Sequence, residues 1–184
     1  MVLSFAEATE KDIPELTKVM TRAFDDDAQK HLGLEKGGPP GYDNGDFFRT
    51  WLLPYKESMG YKILSDGKVI GGIIVWILET KENFLGTIFI DPDYQNLGVG
   101  TRTWQFIDDT YPDTKSWTLE TPSWAVKNHH FYEQKCGFKK IGEKEEESPD
   151  FPGTSFVYQK VMPAGKKLKT RRNQCLSTLR SSYH

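Results

Sequence analysis

Apolar residues along this chain keep two spacings, and the switches between them lay out the elements. The opening "LSFAEAT" alternates as a first strand does. In "TEKDIPELTKVMTRAF", Ile13, Leu16, Val19, Met20 and Phe24 recur at helical spacing, and Thr9 with Asp12 comes close to a capping box. "GLEKGGPPGYDNG" is a loop rich in Gly and Pro, and "DFFRTWLLPYKESMG" predicts a second helix broken at Pro54. "YKILSDGKVIGGIIVWIL" joins two apolar runs at Asp66 and Gly67, a hairpin signal, and "FLGTIFI" is a further strand. "GTRTWQFIDDTY" then sets Val99, Thr103, Phe106 and Ile107 on one helical face. "SWTLE" is a short strand, and "WAVKNHHFYEQKCGF" is a helix capped at Gly137 with Phe138 placed to pack back. "FKKIGEKEE" and "TSFVYQKVM" form a closing hairpin across an acidic loop. The order β-α-α-β-β-β-α-β-α-β-β predicts an α/β fold, a mixed and mostly antiparallel sheet with helices on both faces.

Composition narrows the class. A chain of 184 residues with 37% hydrophobic and 27% charged residues reads as one globular domain, residues 1–163. The longest apolar run, Val69 to Leu78, is about half of a membrane span, so no membrane partner is expected. The N-terminus has no basic and apolar signal pattern, and Cys136 and Cys175 match no metal spacing. Free thiols in a cytoplasmic protein without a bound metal are the expectation.

Charge is uneven. Residues 164–184 hold Lys166, Lys167, Lys169, Arg171, Arg172 and Arg180 and no acid, and read as a flexible basic tail. Of the 24 basic residues 18 lie elsewhere, against 26 acids, so the remainder carries −8 and nucleic acid is not an expected partner. A homodimer is left open.

The stretch "DPDYQNLGVG" carries the chemistry. A strand, a short glycine loop and a helix point free backbone N–H groups at an anion, and Gln95 offers a side-chain donor behind Gly98 and Gly100. The same pattern also suits an ordinary turn. No Lys-Ser/Thr pair follows, as a Walker loop requires, and Thr103 stands where a dinucleotide fingerprint has its third glycine. ATP hydrolysis and dinucleotide redox chemistry are both disfavoured.

The segment "IFIDPDYQNLGVGTRTWQFI" resembles the acyl-CoA-binding segment of the GCN5-related N-acetyltransferase (GNAT) family. "NHHFYEQKCGF" is similar to that family's second signature, and "ATEKDIPEL" and "KVIGGIIV" also look typical, so the resemblance runs from about Ser4 to Val161. It implies a sheet splayed between its fourth and fifth strands, and acetyl-CoA as cosubstrate. By resemblance, amides around Gln95, Asn96, Leu97, Gly98, Val99, Gly100 and Thr101 hold the diphosphate. Ile88 and Ile90 would lie along the pantetheine arm, whose backbone pairing is a β-augmentation by a ligand. Ala125 stands where many members have Asn, and Asn128, on the face of Tyr132, is the substitute contact.

The implied reaction moves an acetyl group to a primary amine of a small molecule or peptide, by direct attack in a ternary complex. An alkylammonium of pKa roughly 10.4 leaves only about one amine in a thousand free near neutral pH, so a base or water relay is useful. Glu120, ending "SWTLE", is the candidate base, with Glu79 or water as alternatives. Tyr132 matches the family tyrosine that serves the departing thiolate. With its ordinary pKa of about 10, full proton transfer would be uphill by roughly 2 kcal/mol, so a strong hydrogen bond describes its role better. His129 and His130, adjacent on a helix, do not share a face and are not a metal pair. The acceptor is expected over residues 24–58, where Tyr42, Asp43, Asp46 and Phe47 suit a cationic amine. A non-catalytic acyl-CoA-binding module of the same fold is the competing reading.

Overall fold

The computed structural model describes residues 1–146 and 153–164, so the acidic loop at 147–152 and the tail from 165 lie outside the described residues. The elements follow the expected order: β1 (Leu3–Glu7), α1 (Ile13–Leu32), α2 (Asp46–Trp51), β2 (Ser58–Ser65), β3 (Lys68–Trp76) and β4 (Glu82–Ile90). Then come α3 (Val99–Thr110), β5 (Ser116–Pro122), α4 (Val126–His130) running into a π turn over Phe131–Lys135, β6 (Lys139–Glu146) and β7 (Gly153–Val161).

The first two helices end elsewhere than the sequence predicts. Helix α1 runs past Phe24 to Leu32, where Gly33 ends it at φ 65°. Helix α2 stops at Trp51, short of Pro54, because a residue preceding proline is driven out of the helical region. The Ser58 hydroxyl donates to Trp51 O at 2.8 Å, and Ser58 to Gly60 join β2 instead. The β2–β3 hairpin turns as expected, with Asp66 and Gly67 both left-handed at φ 49° and 85°.

The seven strands lie in the order β1-β2-β3-β4-β5-β7-β6, antiparallel except for β4 and β5. Strand β3 is buried along nearly its whole length, so its alternate side chains feed two cores. Ile74 packs with Leu16 and Met20 of α1 and with Phe48 and Phe89 on one face. Ile73 and Val75 pack with Trp104, Ile107, Trp117 and Phe138 on the other. Burying each such side chain is worth about 1.5–3 kcal/mol, which fixes α1 and α3 on opposite sides of the sheet. On α3 the buried aromatic is Trp104; Phe106, expected on that face, stacks on Phe5 at 4.4 Å.

The parallel seam is short. Only Glu82 to Phe84 of β4 pair with Ser116 to Thr118 of β5. Asn83 closes this end, accepting from Leu78 N at 2.9 Å and donating to Thr114 Oγ1 at 2.8 Å. Beyond it, β5 continues along β7 to Pro122 and β4 along β3 to Ile90. Thr87 pairs with Ile74 and Leu85 with Val75, which leaves Gly86 as an extra residue. A bulge bends its strand, and here β4 parts from β5 and a V opens. Among the described residues no helix is long and apolar enough to cross a membrane.

Candidate active site

The loop after β4 is held from three directions. Arg22 of α1 grips the buried Asp91 at 3.1 Å and Asp93 at 3.0 Å, while Asp91 also accepts from Asp93 N at 3.0 Å. Gln95 Nε2 donates to Ile90 O at 3.0 Å, and its Oε1 accepts from Lys127 Nζ of α4. Asn96 and Gly98 then take left-handed conformations, φ 60° and 76°, that turn the chain into α3. Arg102 N donates to Gly98 O at 3.1 Å, so the amides from Gly98 to Thr101 have no intrahelical acceptor.

This arrangement corrects part of the sequence reading. The side chain of Gln95, expected to face an anion, fastens the loop to β4 and α4. The two glycines also differ. A Cβ on Gly98 would meet nothing within 4 Å, whereas one on Gly100 would come within 3.0 Å of the Phe131 ring. Gly98 leaves space open in front of free amides, and Gly100 lets α3 pack against the π turn.

A cavity of about 1040 Å³ runs through the V. Ile88, Ile90, Gln95, Asn96, Gly98 and Val99 line it. Gly100, Thr101, Glu120, Asn128 and Tyr132 line it as well. Leu97 does not, and its side chain is 55% exposed.

Tyr132 sits in the π turn, where Cys136 N donates to Phe131 O at 3.1 Å and Phe138 N reaches back to Tyr132 O at 2.9 Å past Gly137 at φ 77°. Its ring lies among those of Phe131, Phe138 and Tyr158. Its hydroxyl has no hydrogen bond among the described residues, and burial pushes it well above the ordinary tyrosine value, with Cys136 acting the same way. The Cys136 thiol is itself pushed up to about 12 by burial, which leaves it protonated and inert.

Glu120 borders the cavity on β5, and its Oε2 accepts from Lys144 of β6 at 3.3 Å. Glu79, the alternative base, is exposed in the β3–β4 turn at the closed end of the V and does not line the cavity. Asn128 donates to Thr121 Oγ1 at 3.3 Å, and His129 Nε2 lies 3.0 Å from Pro122 O.

The acceptor-side residues also sort themselves. Of Tyr42, Asp43, Asp46 and Phe47, only Phe47 lines the cavity. The Tyr42 hydroxyl donates to Asp25 Oδ1 at 2.6 Å, and burial followed by that bond pushes it up to about 12. Asp46 pairs with Arg49 at 3.1 Å. The cavity wall instead includes Asp27, Trp124, Lys127 and Arg102, none of which the sequence singled out. Asp27 lies beyond the expected end of α1, and no spacing marks the others.

Comparison with known proteins agrees with this geometry. Residues 18–138 match the profile described as Acetyltransferase (GNAT) family. Over 132 residues, 71% of this chain and 70% of the other, the chain is 36% identical to a Bacillus subtilis (strain 168) protein named Uncharacterized protein YrkN. The fold is similar to that of the ribosomal-protein-S18-alanine N-acetyltransferase from Escherichia coli, with TM-score 0.71 at 17% identity, covering 91% of this chain and 99% of that one. It is also similar to the PaiA N-acetyltransferase from Thermoplasma acidophilum in complex with coenzyme A, with TM-score 0.64 at 14% identity, covering 88% and 100%.

Proposed function

The chain belongs to the acetyltransferase (GNAT) family, and from that premise we propose that it moves an acetyl group from acetyl-CoA to a primary amine by direct attack. One observation carries the reading. The sheet opens after Phe84 and Thr118 into a cavity lined on one side by Gly98 to Thr101, whose amides have no acceptor among the described residues, and on another by Tyr132. The residues present fit acetyl-CoA. The amides of Gly98 to Thr101 and the open space at Gly98 suit a diphosphate, and Arg102 and Lys127 add positive charge at the same wall.

Acetyl-CoA supplies an activated thioester; the chain supplies position and proton handling. Glu120, directly or through water, takes the proton that the attacking amine loses. The Tyr132 hydroxyl donates a hydrogen bond to the departing sulfur. Because burial raises its pKa, giving the proton up entirely is less favourable than an ordinary tyrosine would make it. A hydrogen bond to the developing thiolate is therefore its role, and no cysteine need carry the acetyl group.

The test is acetyl-CoA-dependent thiol release by the full chain with a panel of small and peptide amines. Amine-dependent turnover is the expected result. Tight acetyl-CoA binding with no turnover on any amine would return the chain to the non-catalytic acyl-CoA-binding reading.

A further inference from the structure

Three consecutive acids, Asp25, Asp26 and Asp27, stand in the second half of α1, and they do different work. Asp25 accepts from the Tyr42 hydroxyl at 2.6 Å and from Gly37 N at 3.2 Å, holding the loop over residues 33–45. Asp26 pairs with Lys30 at 2.6 Å. Asp27 is half-buried, lines the cavity, and has no hydrogen bond or ion pair among the described residues.

Its surroundings suit a cation. Phe24, Phe47 and Trp124 line the same cavity, and the His31 ring lies 6.2 Å from that of Trp124. Aromatic faces attract alkylammonium groups and accept the methylene chains attached to them. The charged groups facing Asp27 are Lys127, His31, Asp26 and Lys30. Lys127 is engaged by Gln95. Burial raises the Asp27 carboxyl above its ordinary value against the pull of Lys127 and His31, which marks a carboxylate short of solvation.

We propose that Asp27 binds a second, non-reacting ammonium group of the acceptor, so that the preferred substrate is a diamine-like cation with an alkyl spacer along the aromatic wall. The inference rests on the amine-acetylation reading above. The reason for a second nitrogen is electrostatic. Glu120 already serves the reacting nitrogen, and a second carboxylate there would further stabilise its ammonium form, whereas beside a spectator nitrogen Asp27 adds binding at no cost to nucleophilicity. Acceptors ending in a carboxylate meet repulsion from Asp27 and Glu120.

The experiment compares cadaverine, pentylamine and δ-aminovalerate as acceptors for the wild-type full chain, Asp27→Asn and Asp27→Lys. A charge-assisted contact of this kind predicts that the wild type prefers cadaverine over pentylamine by roughly ten- to a hundredfold in kcat/KM. In Asp27→Asn that ratio should collapse to within about threefold through KM, with kcat and acetyl-CoA affinity changed by less than about twofold. Asp27→Lys should shift preference toward δ-aminovalerate. Melting temperatures near wild type confirm that the variants are folded. Equal wild-type rates with cadaverine and pentylamine, or an unchanged ratio in Asp27→Asn, would overturn the inference while leaving amine acetylation standing. Failure of every amine under acetyl-CoA saturation would instead overturn the acetylation reading, and this inference with it.

Discussion

The two walls of the cavity are built from different parts of the chain's chemistry. The wall formed by the β4–α3 loop presents backbone: four amides from Gly98 to Thr101 and the free edge of β4. The wall formed by α1 and the start of α2 presents side chains, Phe24, Asp27 and Phe47. A backbone site needs only residues that bend the chain correctly, such as Asn96 and Gly98 with their positive φ. A side-chain site needs chosen groups at positions that the fold alone brings together. Arg22 joins the two, since it stands on α1 and grips both acids flanking Pro92.

Removing the Tyr132 hydroxyl should have the largest effect. Tyr132→Phe keeps the ring, so Tm and acetyl-CoA affinity should hold, while kcat falls by about 10²–10⁴-fold with chemistry rate-limiting. A kcat within about twofold would remove Tyr132 from the mechanism. Next comes Arg22→Leu, the variant that should disturb both walls at once. Asp91 is left buried without its cation, which costs about 2 kcal/mol after allowing for the exposure of Arg22. Acetyl-CoA Kd and acceptor KM should both rise, and a rise in only one would show that the walls are uncoupled.

Tyr42→Phe should reach the acceptor wall alone. It removes a hydrogen bond to a charged group, worth about 1.5 kcal/mol, and should raise acceptor KM without changing acetyl-CoA Kd in calorimetry. The phenol is raised from 10.0 to about 12, so the folded state holds its proton more tightly than the unfolded chain does. That stabilisation is complete below about pH 10 and is lost as pH rises toward 12, so the Tm gap between wild type and Tyr42→Phe should narrow over that window. The smallest effect should come from Gly98→Ala. An alanine at φ 76° costs about 1 kcal/mol and should weaken acetyl-CoA binding severalfold, leaving acceptor KM unchanged. Unchanged acetyl-CoA affinity in that variant would make the loop an ordinary turn.

The same division explains what could be read from the chain. The element order and the glycine loop were legible because periodicity and Gly98 act locally. Glu79 was misplaced because a strand end says nothing about which end of a splayed pair it occupies. The partners of the Gln95 side chain, Ile90 O and Lys127, are not legible in the sequence because only the fold brings them to it. Asp27 was passed over since the apolar pattern of α1 fades after Phe24, although the helix continues.

The short seam between β4 and β5 also has a consequence in time. Strands β1 to β4 each pair with the next in sequence, so that meander is complete once residue 90 has been made. In the other half β7 lies between β5 and β6, so β5 waits for its main partner until the last strand emerges. Local pairings close faster than distant ones, and N-terminal units form first during synthesis. Pulse-labelled hydrogen exchange during refolding is expected to protect the amides of β2 and β3 before those of β5 and β7. Simultaneous protection would mean that the three seam pairs, Glu82 to Phe84 with Ser116 to Thr118, form early and nucleate both halves together.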